Sequence, residues 1–253
     1  MLNYVEYGKE NKYDDDIFFQ KYSQMSRSQQ GLAGAGEWET LRKLLPDFKD
    51  KRVLDLGCGY GWHCIYAMEH GASSVVGVDI SHKMLEVAKE KTHFPQVEYK
   101  CCAIEDVEFP EESFDVILSS LAFHYVADYE ILVKKIYRIL KSGGKLVFTV
   151  EHPVFTAYGT QDWYYNEKGE ILHFPVDNYY YEGKRTAVFL GEKVTKFHRT
   201  LTTYLNTLLS NCFIINHIVE PQPPEYMMDI PGMQDEMRRP MMLIVSANKK
   251  VDR

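Results

Sequence analysis

Three glycines at alternate positions, Gly57, Gly59 and Gly61, constrain the fold of this chain more than any other feature. A short apolar run, 53–56, precedes them and is typical of a strand that is buried on both faces. A helical pattern of apolar residues begins directly after them, at Trp62. Glycine suits a position where the backbone must turn sharply or approach a ligand closely. The order of strand, glycine turn and helix therefore predicts the first unit of a Rossmann-like fold.

The spacing of the glycines indicates which ligand the turn binds. A dinucleotide-binding turn would place its third glycine at position 62, which is Trp62, and Asp55 lies two positions before the first glycine. The pattern D-x-G-x-G-x-G resembles motif I of the class I S-adenosylmethionine (SAM) methyltransferases, whose ligand carries an ammonium and a sulfonium but no phosphate. The resemblance implies SAM as cofactor, S-adenosylhomocysteine as product, and cofactor contacts at Asp55, Gly57, Cys58, Gly59 and Gly61.

A second predicted strand, 74–79, ends in Asp79. An acidic residue at this point of a Rossmann-like fold accepts hydrogen bonds from ribose hydroxyls. Asp79 could instead cap the next helix, but Ser81 can fill that role. We therefore expect Asp79 to face the ribose. The family resemblance adds further cofactor contacts, at Ile80, Met84, Ser120 and Leu121, and near the adenine at Ala103, Ile104 and Glu105, although an exposed turn is the alternative for the last three.

Apolar patterns from residue 52 onwards alternate between strand and helix, which predicts a parallel sheet with right-handed crossovers. The resemblance to the methyltransferases covers about residues 50–150 and implies an α/β, Rossmann-like, seven-stranded and mostly parallel sheet with helices on both faces. Predicted strands are 52–56, 74–79, 97–100, 114–119 and 145–150, and predicted helices are 61–70, 81–91 and 129–140. A helix at 200–209 and strands at 213–219 and 241–247 would complete the sheet.

We predict a single methyltransferase domain over residues 1–253 with four segments. These are an N-terminal helical cover (13–46) with helices at 13–23 and 37–45, the SAM-binding core (50–150), an aromatic-rich insertion after the fifth strand (151–198) and a closing helix and strands (199–253). The cover would place Tyr22 and Arg27 near the methionine end of the cofactor, or it would merely connect. The aromatic residues of the insertion could line an acceptor pocket or form a small core of their own, and the proline- and methionine-rich loop 220–240 could cover the site.

Two histidines follow the predicted fourth and fifth strands, His124 and His152. Methyl transfer from a sulfonium is an in-line displacement, so a base is needed only to remove a proton from the acceptor. Both histidines are candidates for that proton transfer because the imidazole titrates near neutral pH. Each could instead be structural.

Composition narrows the function further. A net charge of −7 argues against a broad phosphate-binding surface, and five cysteines without C-x-x-C spacing indicate reduced thiols and no metal site. The sequence shows no secretory signal and no apolar stretch long enough to cross a bilayer, so we expect a cytoplasmic protein that does not bind membranes. The stretch 120–125 resembles small-molecule methyltransferases of the ubiquinone-biosynthesis-like group.

These observations favour a small-molecule methyl acceptor and argue against nucleic acid as a partner. An RNA or protein methyltransferase and a non-catalytic SAM-binding protein are the alternatives. The sequence specifies neither the acceptor, nor the atom that is methylated, nor the oligomeric state.

Overall fold

The strands and helices follow the order that the sequence predicts, in a computed structural model that describes residue 9 and residues 11–251. The strands are β1 (Arg52–Leu56), β2 (Ser74–Asp79), β3 (Val97–Cys101), β4 (Phe114–Ser120), β5 (Leu140–Glu151), β6 (Tyr164–Tyr165), β7 (Ile171–His173), β8 (Gly183–Phe189), β9 (Glu192–His198), β10 (Phe213–Val219) and β11 (Met242–Lys249). The helices are α1 (Asp16–Ser23), α2 (Ser26–Gln29), α3 (Trp38–Arg42), α4 (Trp62–Glu69), α5 (His82–Lys91), α6 (Tyr129–Ile139), α7 (Pro153–Ala157), α8 (Leu201–Ser210) and α9 (Met233–Glu236).

Seven strands form the central sheet, in the order β10-β11-β5-β4-β1-β2-β3. Strands β1 to β5 pair in parallel, and β11 runs antiparallel to both β5 and β10. The predicted seven-stranded, mostly parallel sheet is therefore confirmed. Strand β5 begins at Leu140 rather than at residue 145, because Leu140 already pairs with Phe114 on β4.

Both faces of the sheet are covered by helices. On one face, α6 and α8 pack against the sheet through buried side chains such as Ile136 and Leu208. On the other face, α3, α4 and α5 do so through Trp38, Cys64 and Leu85. Leu54 and Leu56 of β1 pack in the first of these clusters and Val53 packs in the second, which explains why β1 has apolar residues that face both sides of the sheet.

The N-terminal segment is attached to the core at the start of α5. Asp14 accepts hydrogen bonds from the Ser81 hydroxyl at 2.6 Å and from the backbone N–H of Lys83 at 3.1 Å. Asp15 caps α1 by accepting from two backbone N–H groups, so this helix begins at Asp16 and not at residue 13. The second predicted helix, 37–45, is shorter than expected and spans Trp38–Arg42.

The insertion forms α7 and two antiparallel hairpins, β6–β7 and β8–β9. The second hairpin packs on α1 through a buried cluster of Phe18, Ala187 and Val194. Other aromatic side chains of the insertion surround the guanidinium of Arg239, whose carbon lies 4.6–5.1 Å from the ring centres of Phe155, Trp163 and Phe174. The insertion thus holds the end of the loop 220–240 by cation–π contacts. Within residue 9 and residues 11–251, no helix has both the length and the apolar character that a membrane crossing requires.

Candidate active site

A cavity of about 230 Å³ lies at the carboxyl ends of β1, β2 and β4, which is where open α/β sheets bind ligands. The N-terminal segment, the β8–β9 hairpin and the start of β11 also contribute to its wall. A smaller cavity of about 80 Å³ adjoins it and shares part of its lining, including Tyr22, Arg27 and Gly57.

Most of the residues predicted to contact a cofactor lie together in the wall of the larger cavity. They are Tyr22, Arg27, Gly57, Gly59, Asp79, Ile80, Met84, Ala103, Ile104, Glu105, Ser120 and Leu121. Cys58 lines the smaller cavity. Asp55 and Gly61 line neither, and of the two histidines only His124 lines the larger one.

The glycine turn is built from residues in the left-handed backbone region. Gly57 has φ +78°, and a Cβ on it would lie 2.4 Å from the Cβ of Ala122, so no other residue fits there. Gly59 has φ +51°, and a Cβ on it would have no neighbour within 4 Å, because this glycine borders open space. Gly61 has φ +75° and would place a Cβ 2.2 Å from the Tyr99 hydroxyl, so its role is close packing of α4 against β3.

Asp79 lies between the glycine turn and α5. Its Oδ2 accepts a hydrogen bond from the backbone N–H of Gly59 and its Oδ1 accepts one from that of Ser81, both at 2.9 Å. The Ser81 hydroxyl caps α5 by accepting from the N–H of Met84, which leaves Asp79 free of the capping role. Burial raises the pKa of Asp79 to about 6. Each carboxylate oxygen retains a lone pair with which it can accept from a ligand hydroxyl.

Asp55 lies behind the turn rather than in the cavity wall. Its side chain is buried, and its Oδ2 lies 3.5 Å from the Sγ atom of Cys64, a weak donor. Burial raises the pKa of Asp55 to about 7. The ionised form of this carboxyl is therefore poorly solvated in the folded protein.

Replacing Asp55 by asparagine should stabilise the fold at alkaline pH. A raised pKa means that the folded state binds the proton more tightly than the unfolded state, so stability declines as the pH rises from about 4 through 7. We expect Asp55→Asn to gain about 1–2 kcal/mol at pH 8, or roughly 2–8 °C in Tm, and less than about half of that at pH 5. Thermal unfolding across this pH range measures the effect, with the exposed Glu98→Gln as control. An equal gain at pH 5 would contradict the explanation.

His124 lies in the cavity wall with its ring almost fully buried. Its Nδ1 atom accepts a hydrogen bond of 3.4 Å from the backbone N–H of Glu151. Burial lowers the pKa of His124 to about 4, although the Glu151 carboxylate opposes that shift. The ring is therefore neutral at physiological pH, with its proton on Nε2.

His152 has a different environment. Its Nδ1 accepts a hydrogen bond from the backbone N–H of Val154 at 3.1 Å and so caps α7. Its Nε2 lies 2.9 Å from a carboxylate oxygen of Glu220. Burial lowers its pKa, and neither cavity reaches it. The structure thus brings one of the two candidate histidines to the cavity and gives the other a helix-capping contact.

Several residues that complete the cavity wall were not predicted from the sequence: Lys9, Tyr13, Met25, Ala122, Val126, Glu151, Met241 and Met242. Glu151, at the end of β5, carried a usable signal because acidic residues at strand ends of such sheets face the ligand side. The others come from separate segments without a common motif.

Comparison with known protein families and solved structures supports a SAM-binding role for this fold. The family model described as a methyltransferase domain matches residues 54–148. A solved structure of a candidate SAM-dependent methyltransferase from Listeria monocytogenes is 57% identical, with a TM-score of 0.83 over 87% of this chain and 99% of that one. A SAM-dependent methyltransferase from Mesorhizobium loti is 40% identical, with a TM-score of 0.80 over 86% of this chain and 100% of the other. This chain is a SAM-dependent methyltransferase.

Similarity to known proteins also extends beyond residues 54–148, which the family model matches. An uncharacterized protein from Haemophilus influenzae is 34% identical over 250 residues, which are 94% of this chain and 96% of the relative. Because the likeness to the Haemophilus influenzae protein covers 94% of this chain, it includes at least part of both the N-terminal cover and the insertion. SAM is the cofactor of this enzyme.

Proposed function

We propose that this methyltransferase acts on a small molecule that binds in the larger cavity beside the cofactor. The observation that carries the proposal is the wall of that cavity. Apart from the residues assigned to SAM, it is formed by side chains from the N-terminal segment, the segment after β4, the end of β5, the β8–β9 hairpin and the start of β11. A chamber closed from several sides suits a compact ligand better than a polymer.

The placement of the described residues supports SAM contacts at the ribose, the methionine end and the adenine. The carboxylate of Asp79 would accept from the ribose hydroxyls, and the open space beside Gly59 admits the ligand close to the backbone. Tyr22 and Arg27 would lie near the methionine end. The adenine would lie among mainly apolar side chains, those of Ile80, Met84, Ala103 and Ile104, with Glu105 beside them.

Bound SAM supplies an electrophilic methyl group on a sulfonium. The protein must hold the acceptor in line with that methyl group and exclude water, and such positioning contributes on the order of 7–11 kcal/mol. Tyr13, Tyr125 and Phe189 would provide a rigid boundary for the acceptor, since their side chains are held by neighbours. The hydroxyls of Tyr13 and Tyr125 lie 3.3 Å apart, and the Phe189 ring packs edge-on against Phe18 at 5.7 Å.

Isotopic labelling tests this proposal directly. The enzyme is incubated with SAM that carries a labelled methyl group and with cell extract separated into small-molecule, RNA and protein fractions. Label should enter the small-molecule fraction, and the labelled compound can then be identified by mass spectrometry. Label found only in RNA or protein would overturn the small-molecule assignment.

Phe189 offers a specific prediction for the acceptor side of the cavity. Phe189→Ala should lower turnover of the labelled acceptor by about tenfold or more, because one wall of the acceptor site is lost. Affinity for S-adenosylhomocysteine should stay within about threefold, because the contacts assigned to the cofactor are elsewhere. The control is Val188→Ala, whose side chain is 56% exposed on the other face of the same strand. Equal losses of turnover and cofactor affinity would contradict the assignment.

A further inference from the structure

The polar groups of the acceptor side indicate a class of acceptor, if the proposed function holds. We propose that the acceptor is an uncharged, largely apolar molecule, and that one of its polar atoms accepts a hydrogen bond from Nε2 of His124. His124 then acts as a fixed donor that orients the acceptor, and it is not the base of the reaction.

Charges in the described part of the cavity wall are paired or assigned to the cofactor. Lys9 forms an ion pair with Asp106. Arg27 donates to both carboxylate oxygens of Glu37 at 3.0 Å. Asp79 and Glu105 are the two acidic residues on the side that we assign to the nucleoside, which leaves Glu151 as the charged group on the acceptor side.

The charge of Glu151 is already neutralised by a buried lysine. Its Oε1 accepts from Lys196 at 2.5 Å and its Oε2 accepts from Gln161 at 2.6 Å. Lys196 also donates to the Gln161 side chain at 2.8 Å, and the Lys196 side chain is 3% exposed. Burial would raise the pKa of Glu151, but His124, Lys196 and these hydrogen bonds more than offset it and hold the pKa below its usual range.

An ionised acceptor would therefore meet no uncompensated opposite charge. Transfer of an unpaired charge from water into such a site is strongly unfavourable. The remaining wall is apolar or aromatic, with Val126, Phe189, Met241 and Met242 among its residues. An uncharged molecule with an apolar body is the ligand that this wall accommodates with the smallest desolvation penalty.

The tautomer of His124 follows from its backbone contacts. Its Nδ1 is occupied as an acceptor by the Glu151 amide, so the proton of the neutral ring lies on Nε2. Among the described residues Nε2 has no hydrogen-bond partner, and the ring lines the cavity, so Nε2 is the atom available to a ligand. An N–H group in this state can donate a hydrogen bond but cannot accept a proton.

Arg199 holds the backbone turn Phe123–Tyr125, which carries His124, in place. The guanidinium of Arg199 donates to the backbone carbonyls of Phe123, Val126 and Ala127, which flank the histidine. The charged groups that affect the pKa of His124 are Glu151, Lys196 and Arg199. The ring centres of His124 and Tyr125 are 4.6 Å apart. The two cations disfavour a third positive charge on the imidazole, in the same direction as burial.

Nitrogen-15 NMR of histidine-labelled enzyme tests the state of His124, with the signal assigned by its loss in His124→Gln. The expected result is the Nε2–H tautomer, without protonation between about pH 8 and pH 5, the range in which an ordinary histidine titrates. An Nδ1–H tautomer, or a titration near the ordinary pKa, would overturn the role of donor.

Three probes with the same apolar body test the acceptor class: para-propylphenol, para-propylbenzoate and para-propylbenzylamine. Their binding to the enzyme saturated with S-adenosylhomocysteine is measured at neutral pH. The uncharged phenol should bind at least about tenfold more tightly than either ion. His124→Phe should weaken the binding of the phenol by about tenfold. His124→Gln, which retains an N–H donor, should weaken it less.

The outcomes separate this inference from the proposed function. Preference for either ion, or no binding by any probe at millimolar concentration, would overturn the uncharged class even if label enters a small molecule. Label confined to RNA or protein would instead overturn the proposed function, whatever the state of His124.

Discussion

Replacing Asp79 by alanine is expected to weaken the binding of SAM and of S-adenosylhomocysteine by about 10- to 150-fold, or roughly 1.5–3 kcal/mol. The loss has two parts. The ribose would lose a charged acceptor, and the backbone N–H of Gly59, which donates to Asp79 in the folded protein, would lose its partner. Removing the carboxylate thus loosens the glycine turn as well as one ligand contact.

Isothermal titration calorimetry with S-adenosylhomocysteine measures this loss, and Glu98→Gln, an exposed acidic residue on the adjacent strand, is the control. The pH dependence provides a second test. Because the pKa of Asp79 is raised to about 6, its protonation removes the charged acceptor and affinity should fall as the pH drops through 6. That fall should be weaker in Asp79→Ala. Unchanged affinity in the variant would remove Asp79 from the cofactor site.

The core of the fold could be predicted because its signals are local. The apolar strand β1, the turn at Gly57–Gly61 and the start of α4 follow one another directly in sequence, so backbone geometry alone relates them. The alternation of strands and helices then determined the parallel sheet. The position of Asp79 followed in the same way, since the carboxyl ends of β1 and β2 are adjacent in a parallel sheet.

The acceptor side could not be predicted because its contacts join distant segments. Glu151 and Lys196 are 45 residues apart and form their pair only when the β8–β9 hairpin folds back on the end of β5. From the sequence, the aromatic residues of the insertion could either line an acceptor pocket or form a small core. In the structure, different aromatic residues do each. Phe189 lines the cavity, whereas Phe155 and Trp163 pack against an arginine from the loop 220–240.

The two histidines illustrate the same limit of local patterns. Both follow a strand of the parallel sheet, and their residue type alone does not distinguish them. The difference lies in the residue after His152 and, for His124, in an arginine far along the chain. His152 precedes a proline that starts α7, where its side chain caps the helix, whereas His124 lies in a turn that Arg199 holds against the cavity.

The largest expected effect on stability belongs to Gly57. Gly57→Ala should destabilise the enzyme without ligand by about 2–5 kcal/mol, or roughly 4–20 °C in Tm. A left-handed backbone costs a non-glycine residue about 1–2 kcal/mol, and overpacking adds typically about 1–3 kcal/mol. The overpacking is specific, because the new Cβ would lie 2.4 Å from that of Ala122, in the segment after β4 that also lines the cavity.

A matched control separates these two costs. Gly169, in the turn between β6 and β7, has the same φ of +78°, but a Cβ on it would have no neighbour within 4 Å. Gly169→Ala should therefore cost only the backbone part, about 1–2 kcal/mol, and leave cofactor affinity unchanged. Thermal unfolding of both variants, with calorimetry for S-adenosylhomocysteine, gives the comparison. If the two alanine variants lose the same stability, the close approach of the Gly57 turn to Ala122 is not what requires a glycine there.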